Sequence, residues 1–65
     1  MENLVFSDLI GHFKGFNFKV FVSWKGDEPI KFDNKVYANL TFKDSHVINF
    51  DFDTKENILN VDVKE

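Results

Sequence analysis

The chain has no cysteine, and among its 65 residues it has only one proline and three glycines. Without cysteine it can form neither a disulfide framework nor a thiolate metal site, so apolar packing alone must hold the core together. All eight basic side chains are lysine, and arginine is absent. Together with plentiful Asn, Asp and Phe, this usage favours an AT-rich genome, such as that of a low-GC bacterium or its phage.

Long apolar runs are also absent. No stretch approaches the ~18 apolar residues of a membrane span, and the first residues lack the basic region and apolar run of a signal peptide. We therefore expect a cytoplasmic protein that does not associate with membranes. A chain of 65 residues has room for one small domain, residues 1–65, which buries only ~60% of its unfolded surface.

Four runs alternate apolar and polar residues with a period of two, as half-buried strands do. The apolar members, which this alternation places on one face, are Phe16, Phe18, Val20, Val22 and Trp24; Val36, Ala38, Leu40 and Phe42; Ile48, Phe50 and Phe52; Leu59, Val61 and Val63. Short turn-forming segments separate the runs, so the sequence predicts a four-stranded antiparallel meander. The segment after Pro29, residues 30–32, is predicted to be a short edge piece at most.

The first fourteen residues show a different period. Apolar residues recur at helical spacing, namely Val5, Phe6, Leu9, Ile10 and Phe13. This stripe predicts an amphipathic helix over residues 3–14, with Asn3 as N-cap, Lys14 in the last turn and Gly15 at C′. A short strand over residues 4–6 is the competing interpretation. A helix packed on the sheet gives a two-layer α+β domain, whereas an N-terminal strand gives a small all-β barrel.

The same alternation turns a second set of residues outward. Most of them are polar, but Phe21 and Tyr37 are aromatic and would form a cross-strand pair if consecutive strands are neighbours. An exposed apolar cluster with a polar rim is typical of an interaction site. A second small core under the loop 26–35, or closure of a barrel, would instead bury these rings.

Acidic residues concentrate at the C-terminal end. Residues 44–65 carry six acidic and two basic side chains, a net charge of −4, within a chain whose total is −3. Asp51, Asp53 and Asp62 are predicted to share the outward face of the last hairpin. Such a cluster can steer a partner with a basic surface, although a merely solvated face would have the same composition.

The sequence offers little catalytic chemistry. His12 and His46 are far apart and have no cysteine beside them, and no serine sits in a nucleophile motif. The segment 51–57 begins like a calcium loop, but Lys55 stands where an oxygen ligand belongs and Glu56 where glycine is needed. We expect neither an enzyme nor a bound metal or cofactor.

One segment suggests an alternative function. Residues 14–18, Lys-Gly-Phe-Asn-Phe, resemble the Lys-Gly-Phe-Gly-Phe strand of cold-shock domains, and residues 20–24, Val-Phe-Val-Ser-Trp, are similar to their Val-Phe-Val-His-Phe strand. The resemblance implies a small barrel whose aromatic residues stack on single-stranded nucleic acid.

The main hypothesis is a small protein-interaction module, an inhibitor or adaptor of a bacterium or phage. The residues predicted to bind the partner are Phe21, Tyr37, Asp51, Asp53 and Asp62. A homodimer is a further hypothesis, in which the run 58–64 ends the sheet as an exposed edge that pairs with a second copy.

Overall fold

The computed structural model describes residues 4–13, 15 and 17–64. In chain order its elements are α1 (Phe6–Gly11), β1 (Lys19–Trp24), β2 (Ile30–Phe32), α2 (Lys35–Phe42), β3 (His46–Asp53) and β4 (Ile58–Lys64). The two-layer α+β prediction is confirmed, and the all-β barrel is wrong because two of the predicted apolar segments are helical. Within the described residues, neither helix has the length and apolarity needed to span a membrane.

The sheet is mixed, so the predicted antiparallel meander is wrong. Its strand order is β2-β1-β4-β3, with β1 antiparallel to β2 and β3 antiparallel to β4, while β1 and β4 are parallel. The two hairpins are joined through α2, and this crossover brings β4 beside β1 in the middle of the sheet. The central position of β4 also contradicts the prediction that it ends the sheet as an exposed edge.

The third predicted strand is the helix α2. Asn34 caps its N-terminus, where the Tyr37 N–H donates a 3.1 Å hydrogen bond to the Asn34 side chain. Alternation at 36, 38, 40 and 42 also contains two pairs four residues apart, which is helical spacing. Ala38 and Phe42 are buried, whereas Val36 and Leu40, predicted to face inward, are exposed.

The N-terminal helix is confirmed, with a shorter span than predicted. Val5 occupies the N-cap position without a side-chain hydrogen bond, and the helix ends at Gly11. Gly15 has φ +86°, the left-handed conformation that glycine adopts most easily. The proposed cap Asn3, as well as Lys14 and Phe16, lies outside the described residues. The competing strand survives only as one bridge between Val5 and His46.

A register shift in β3 changes which side chains face the helices. Val47 lies opposite Val63 and Asn49 opposite Asp62, so Ile48 is an extra residue, as in a β-bulge. Strict alternation predicts Ile48 inside and Val47 outside, but Val47 is buried and Ile48 is exposed. The extra residue lets Val47 and the later phenylalanines of β3 face the same side.

Both helices lie on one face of the sheet, which we call the inner face. The buried core consists of Phe6, Leu9, Ile10, Phe18, Val20, Val22, Ala38, Phe42, Val47, Leu59, Val61 and Val63. Aromatic rings join the layers, since Phe42 of α2 lies 6.2 Å from Phe6 and 6.0 Å from both Trp24 and Phe32, measured between ring centroids. The opposite side of the sheet, the outer face, carries exposed and half-buried side chains.

Candidate interaction surfaces

A group of apolar side chains on α2 faces solvent. Val36 and Tyr37 are each 60% exposed, and Leu40 is 69% exposed. Val36 and Leu40 are four residues apart and Tyr37 and Leu40 three, so the three side chains are neighbours along one side of the helix. We call these three residues the α2 ridge.

The ridge stands on a helix that is anchored at several points. The Asn34 cap fixes the first turn, and the Thr41 hydroxyl donates a 3.2 Å bond to the Tyr37 carbonyl. Lys35 Nζ donates a 2.7 Å bond to the Phe13 carbonyl and lies 5.5 Å from the centre of the Phe18 ring. The lysine thereby ties the start of α2 to the segment that leads into β1.

The outer face of the sheet is different in composition. Its central row runs across four strands, with Lys31, Phe21, Asn60 and Asp51 at successive paired positions. The Phe21 ring is half-buried, and Lys31 Nζ lies 5.3 Å from its centre, within the range of a cation–π contact. The aromatic ring therefore sits among polar neighbours and adds little continuous apolar area.

Charge is unevenly distributed over the outer face, where the aspartates lie on β3 and β4 and the lysines lie on β1, β2 and, as Lys64, at the end of β4. Lys19 and Lys31 lie on β1 and β2, while Asp51, Asp53 and Asp62 lie on β3 and β4. The pairing confirms that these three aspartates share one face, because their partners Asn60, Asn49 and Ile58 fall on the same side of the ladder. Asp53 has an additional local role, since its carboxylate accepts the N–H groups of Lys55 and Glu56 in the turn.

The structure separates the five residues predicted to bind a partner. Phe21, Asp51, Asp53 and Asp62 lie on the outer face, whereas Tyr37 lies on α2 in the helical layer. The cross-strand pair of Phe21 and Tyr37 is therefore wrong, because it required residues 36–42 to form a strand. The five residues belong to two surfaces on opposite sides of the sheet.

Sequence reasoning missed Val36 and Leu40 as surface residues. The available signal was Asn34, a strong N-cap residue placed three positions before Tyr37, followed by apolar residues spaced by four. Alternation over the same residues satisfied the strand pattern equally well. In the structure, residues 35–42 form a helix, and Ala38 and Phe42 pack into the core from it.

The described residues gather no metal-ligating cluster, since no three His, Asp or Glu side chains among residues 4–13, 15 and 17–64 could hold one ion. Within the part of segment 14–24 that the structure describes, the aromatic residues do not form an exposed row. Phe18 is buried, and Phe21 and Trp24 are half-buried on opposite faces of β1.

No family model matches this sequence, and searches of the curated proteins and of the solved structures found no match. The surfaces described above are therefore the basis for any functional conclusion. Of these, the α2 ridge has the most exposed of the large apolar side chains in the described residues.

Proposed function

We propose that this chain is a protein-interaction module that inserts the α2 ridge into an apolar groove of a larger partner protein. One observation carries the proposal: Val36, Tyr37 and Leu40 adjoin on one helix and are 60–69% exposed. Small folded proteins gain stability by burying such side chains, so leaving three of them in water favours a use outside the fold.

The arrangement suits helix-in-groove recognition, in which residues spaced by three and four positions on one helix fill successive pockets of the partner. Tyr37 has the properties of an interface anchor, because tyrosine combines a large apolar ring with a polar end. The Asn34 cap and the packing of Phe42 hold the helix in place before binding. Such preorganisation reduces the conformational entropy that binding would otherwise lose.

The outer face contributes long-range electrostatics in this proposal. Asp51, Asp53 and Asp62 would attract a partner with basic surface regions and raise the rate of encounter. The role we propose is that of an inhibitor or adaptor without catalytic activity, acting in the cytoplasm of a bacterium, with either the bacterium or its phage as the source.

The alternative, single-stranded nucleic-acid binding, receives less support from the arrangement. Base stacking needs aromatic faces that are open to solvent. Phe18 is 4% exposed, and the half-buried Phe21 ring is already in contact with Lys31. Among the aromatic residues that the structure describes, the exposed one is Tyr37, which lies on a different element from the resembling segment.

Site-specific photo-crosslinking in extract of the native host tests the proposal. A benzoylphenylalanine at position 40 reports on the α2 ridge, and the same group at position 60 reports on the outer face. We expect a discrete covalent adduct with one protein from position 40. Excess wild-type chain should suppress that adduct, whereas excess Leu40→Lys chain should not.

Two results would contradict docking through the ridge. An adduct formed from position 60 alone would move the interface to the outer face and its aspartates. Equal competition by the wild type and the Leu40→Lys variant would show that Leu40 does not contribute. An adduct with the mass of two copies of this chain would identify a homodimer instead of a heterologous partner.

A further inference from the structure

Among the described strands, β3 forms one edge of the sheet and is paired along only one side for most of its length. Its ladder partner is β4. On the other side, the described N-terminal segment covers only its start, where Val5 bridges His46 and the Val47 N–H donates to the Leu4 carbonyl. From residue 48 to residue 53, no other described element pairs with this edge.

An edge of this length that residues 4–13, 15 and 17–64 leave unpaired can accept another strand. In an antiparallel ladder, alternate residues direct their N–H and C=O groups away from the existing partner. Those groups form a template for an added extended segment, which is the basis of recognition by strand addition.

The opposite edge of the sheet is a poorer template. The strand β2 spans only Ile30–Phe32, and Pro29 precedes it. Proline has no backbone N–H, and a strand of three residues offers few backbone groups to an added segment. Strand addition is therefore expected at β3 and not at β2.

The side chains of the open edge define what kind of strand fits. On the outer face, Asp51 and Asp53 give the edge two negative charges, and Asp62 lies on the adjacent strand. On the inner face, Phe50 and Phe52 are half-buried. An added strand would place one set of alternate residues beside the carboxylates and the other set beside the phenylalanines.

The aspartates also disfavour a second copy of this chain. An antiparallel pair of β3 edges centred on residue 51 places Asp51 opposite Asp51, and one centred on residue 52 places Asp51 opposite Asp53. Like charges directly opposite each other destabilise a ladder. The register centred on residue 50 avoids this repulsion, but it extends into Val47, whose N–H is already bonded to Leu4.

We infer that the β3 edge, over residues 48–53, accepts an extended segment of another protein in which lysine or arginine alternates with apolar residues. The basic side chains lie beside Asp51 and Asp53, and the apolar side chains extend the layer containing Phe50 and Phe52. This surface is distinct from the α2 ridge and does not depend on it.

Titration of the ¹⁵N-labelled chain with synthetic peptides tests the inference by NMR. The probe is a capped eight-residue peptide that alternates Lys and Val, and the control peptide alternates Glu and Val. We expect the Lys-Val peptide to shift the amide resonances of residues 48–53 more than those of α2, with weaker binding at higher salt. The Glu-Val peptide should leave these resonances unchanged.

A variant pair separates edge pairing from general charge attraction. Asp51→Asn removes one charge at the edge and should lower the affinity by about twofold to fivefold, as expected for loss of one cross-strand charge pair. Glu28→Gln makes the same charge change in the loop between β1 and β2 and should leave the affinity unchanged. Two further probes carry N-methyl groups, one on the backbone nitrogens of its lysines and the other on those of its valines. One of the two should no longer bind, because its methylated nitrogens are those that would donate hydrogen bonds to β3.

The inference is overturned if both variants lower the affinity equally, because that result indicates only long-range attraction. It is also overturned if the Lys-Val peptide shifts the resonances of α2 instead of residues 48–53, or if both methylated peptides bind as well as the parent peptide. Binding at the edge with no adduct from position 40 in the crosslinking experiment would support this inference while contradicting the ridge.

Discussion

The two helices lie in the same layer but use their apolar side chains in opposite ways. In α1, Phe6, Leu9 and Ile10 are all buried against the sheet. In α2, only Ala38 and Phe42 are buried, and the three residues of the α2 ridge remain in solvent. The difference indicates that the apolar side chains of α1 pack in the core. In α2, one side of the helix packs in the core and the other side presents an apolar surface to solvent.

The largest expected effect is the difference in stability loss between truncating a buried side chain of α1 and truncating an exposed side chain of α2. Phe6→Ala removes a fully buried ring that packs on Phe42, and it should lower the free energy of unfolding by about 3–5 kcal/mol. Leu40→Ala removes a side chain that is 69% exposed and should change it by less than about 0.5 kcal/mol. Urea denaturation followed by circular dichroism measures both.

A chain of 65 residues is near the lower limit of size for a stable fold, so Phe6→Ala could leave it unfolded in buffer. An unfolded Phe6→Ala variant agrees with the predicted difference between the two helices, provided that the Leu40→Ala variant remains folded. A loss of about 2–5 kcal/mol for Leu40→Ala would instead be the cost of truncating a core leucine. It would show that Leu40 packs in the core and is not part of an exposed ridge.

A second prediction concerns how α2 begins. Asn34→Ala removes the acceptor for the Tyr37 N–H and should lower the free energy of unfolding by about 1 kcal/mol. Asn34→Asp keeps an acceptor oxygen at the N-cap and should retain nearly all of the stability. Equal losses from the two substitutions in thermal denaturation would show that capping does not contribute to the stability of α2.

A third prediction, similar in size to the second and opposite in sign, concerns Asn39, whose side-chain oxygen is buried with no hydrogen-bond partner among the described residues. Asn39→Ala removes this unsatisfied acceptor and should raise the free energy of unfolding by about 1 kcal/mol. Thr41→Ala is the control for the preference of the helix for alanine, and it also removes the bond to the Tyr37 carbonyl, so its gain should be less than half as large. A destabilised Asn39→Ala variant would indicate that the amide has a partner in solution.

The sequence predicted α1 and β4, although the N-terminal segment also had a competing strand interpretation. The helical stripe of residues 5–13 and the alternation in residues 59–63 led to α1 and β4, with Leu59, Val61 and Val63 buried as expected. The order of the strands was not predictable from alternation, since period two specifies faces and says nothing about which strands are neighbours. The parallel pairing of β1 and β4 depends on the crossover through α2.

Two local features were predicted wrongly from the sequence, namely the secondary structure of residues 36–42 and the facing of Val47, and each has a physical reason. Alternation over four apolar residues is also a pair of i, i+4 contacts, so residues 36–42 fit both a strand and a helix. In β3, one extra residue at Ile48 reversed the facing of Val47. The outward positions of Asp51, Asp53 and Asp62 were predicted correctly because they follow the shift, but the docking role of these residues remains a prediction.

The central claim is that the α2 ridge is apolar area that the fold does not need. The most direct test is the free energy of unfolding of the triple variant Val36→Gln, Tyr37→Gln, Leu40→Gln, compared with the wild type in urea. Glutamine favours the helical conformation and its side chain is well solvated. The free energies of unfolding of the two proteins should therefore differ by no more than about 1 kcal/mol, and the circular dichroism spectrum should be unchanged. A loss of about 3 kcal/mol or more would contradict it, because only side chains that stabilise the core are so costly to replace.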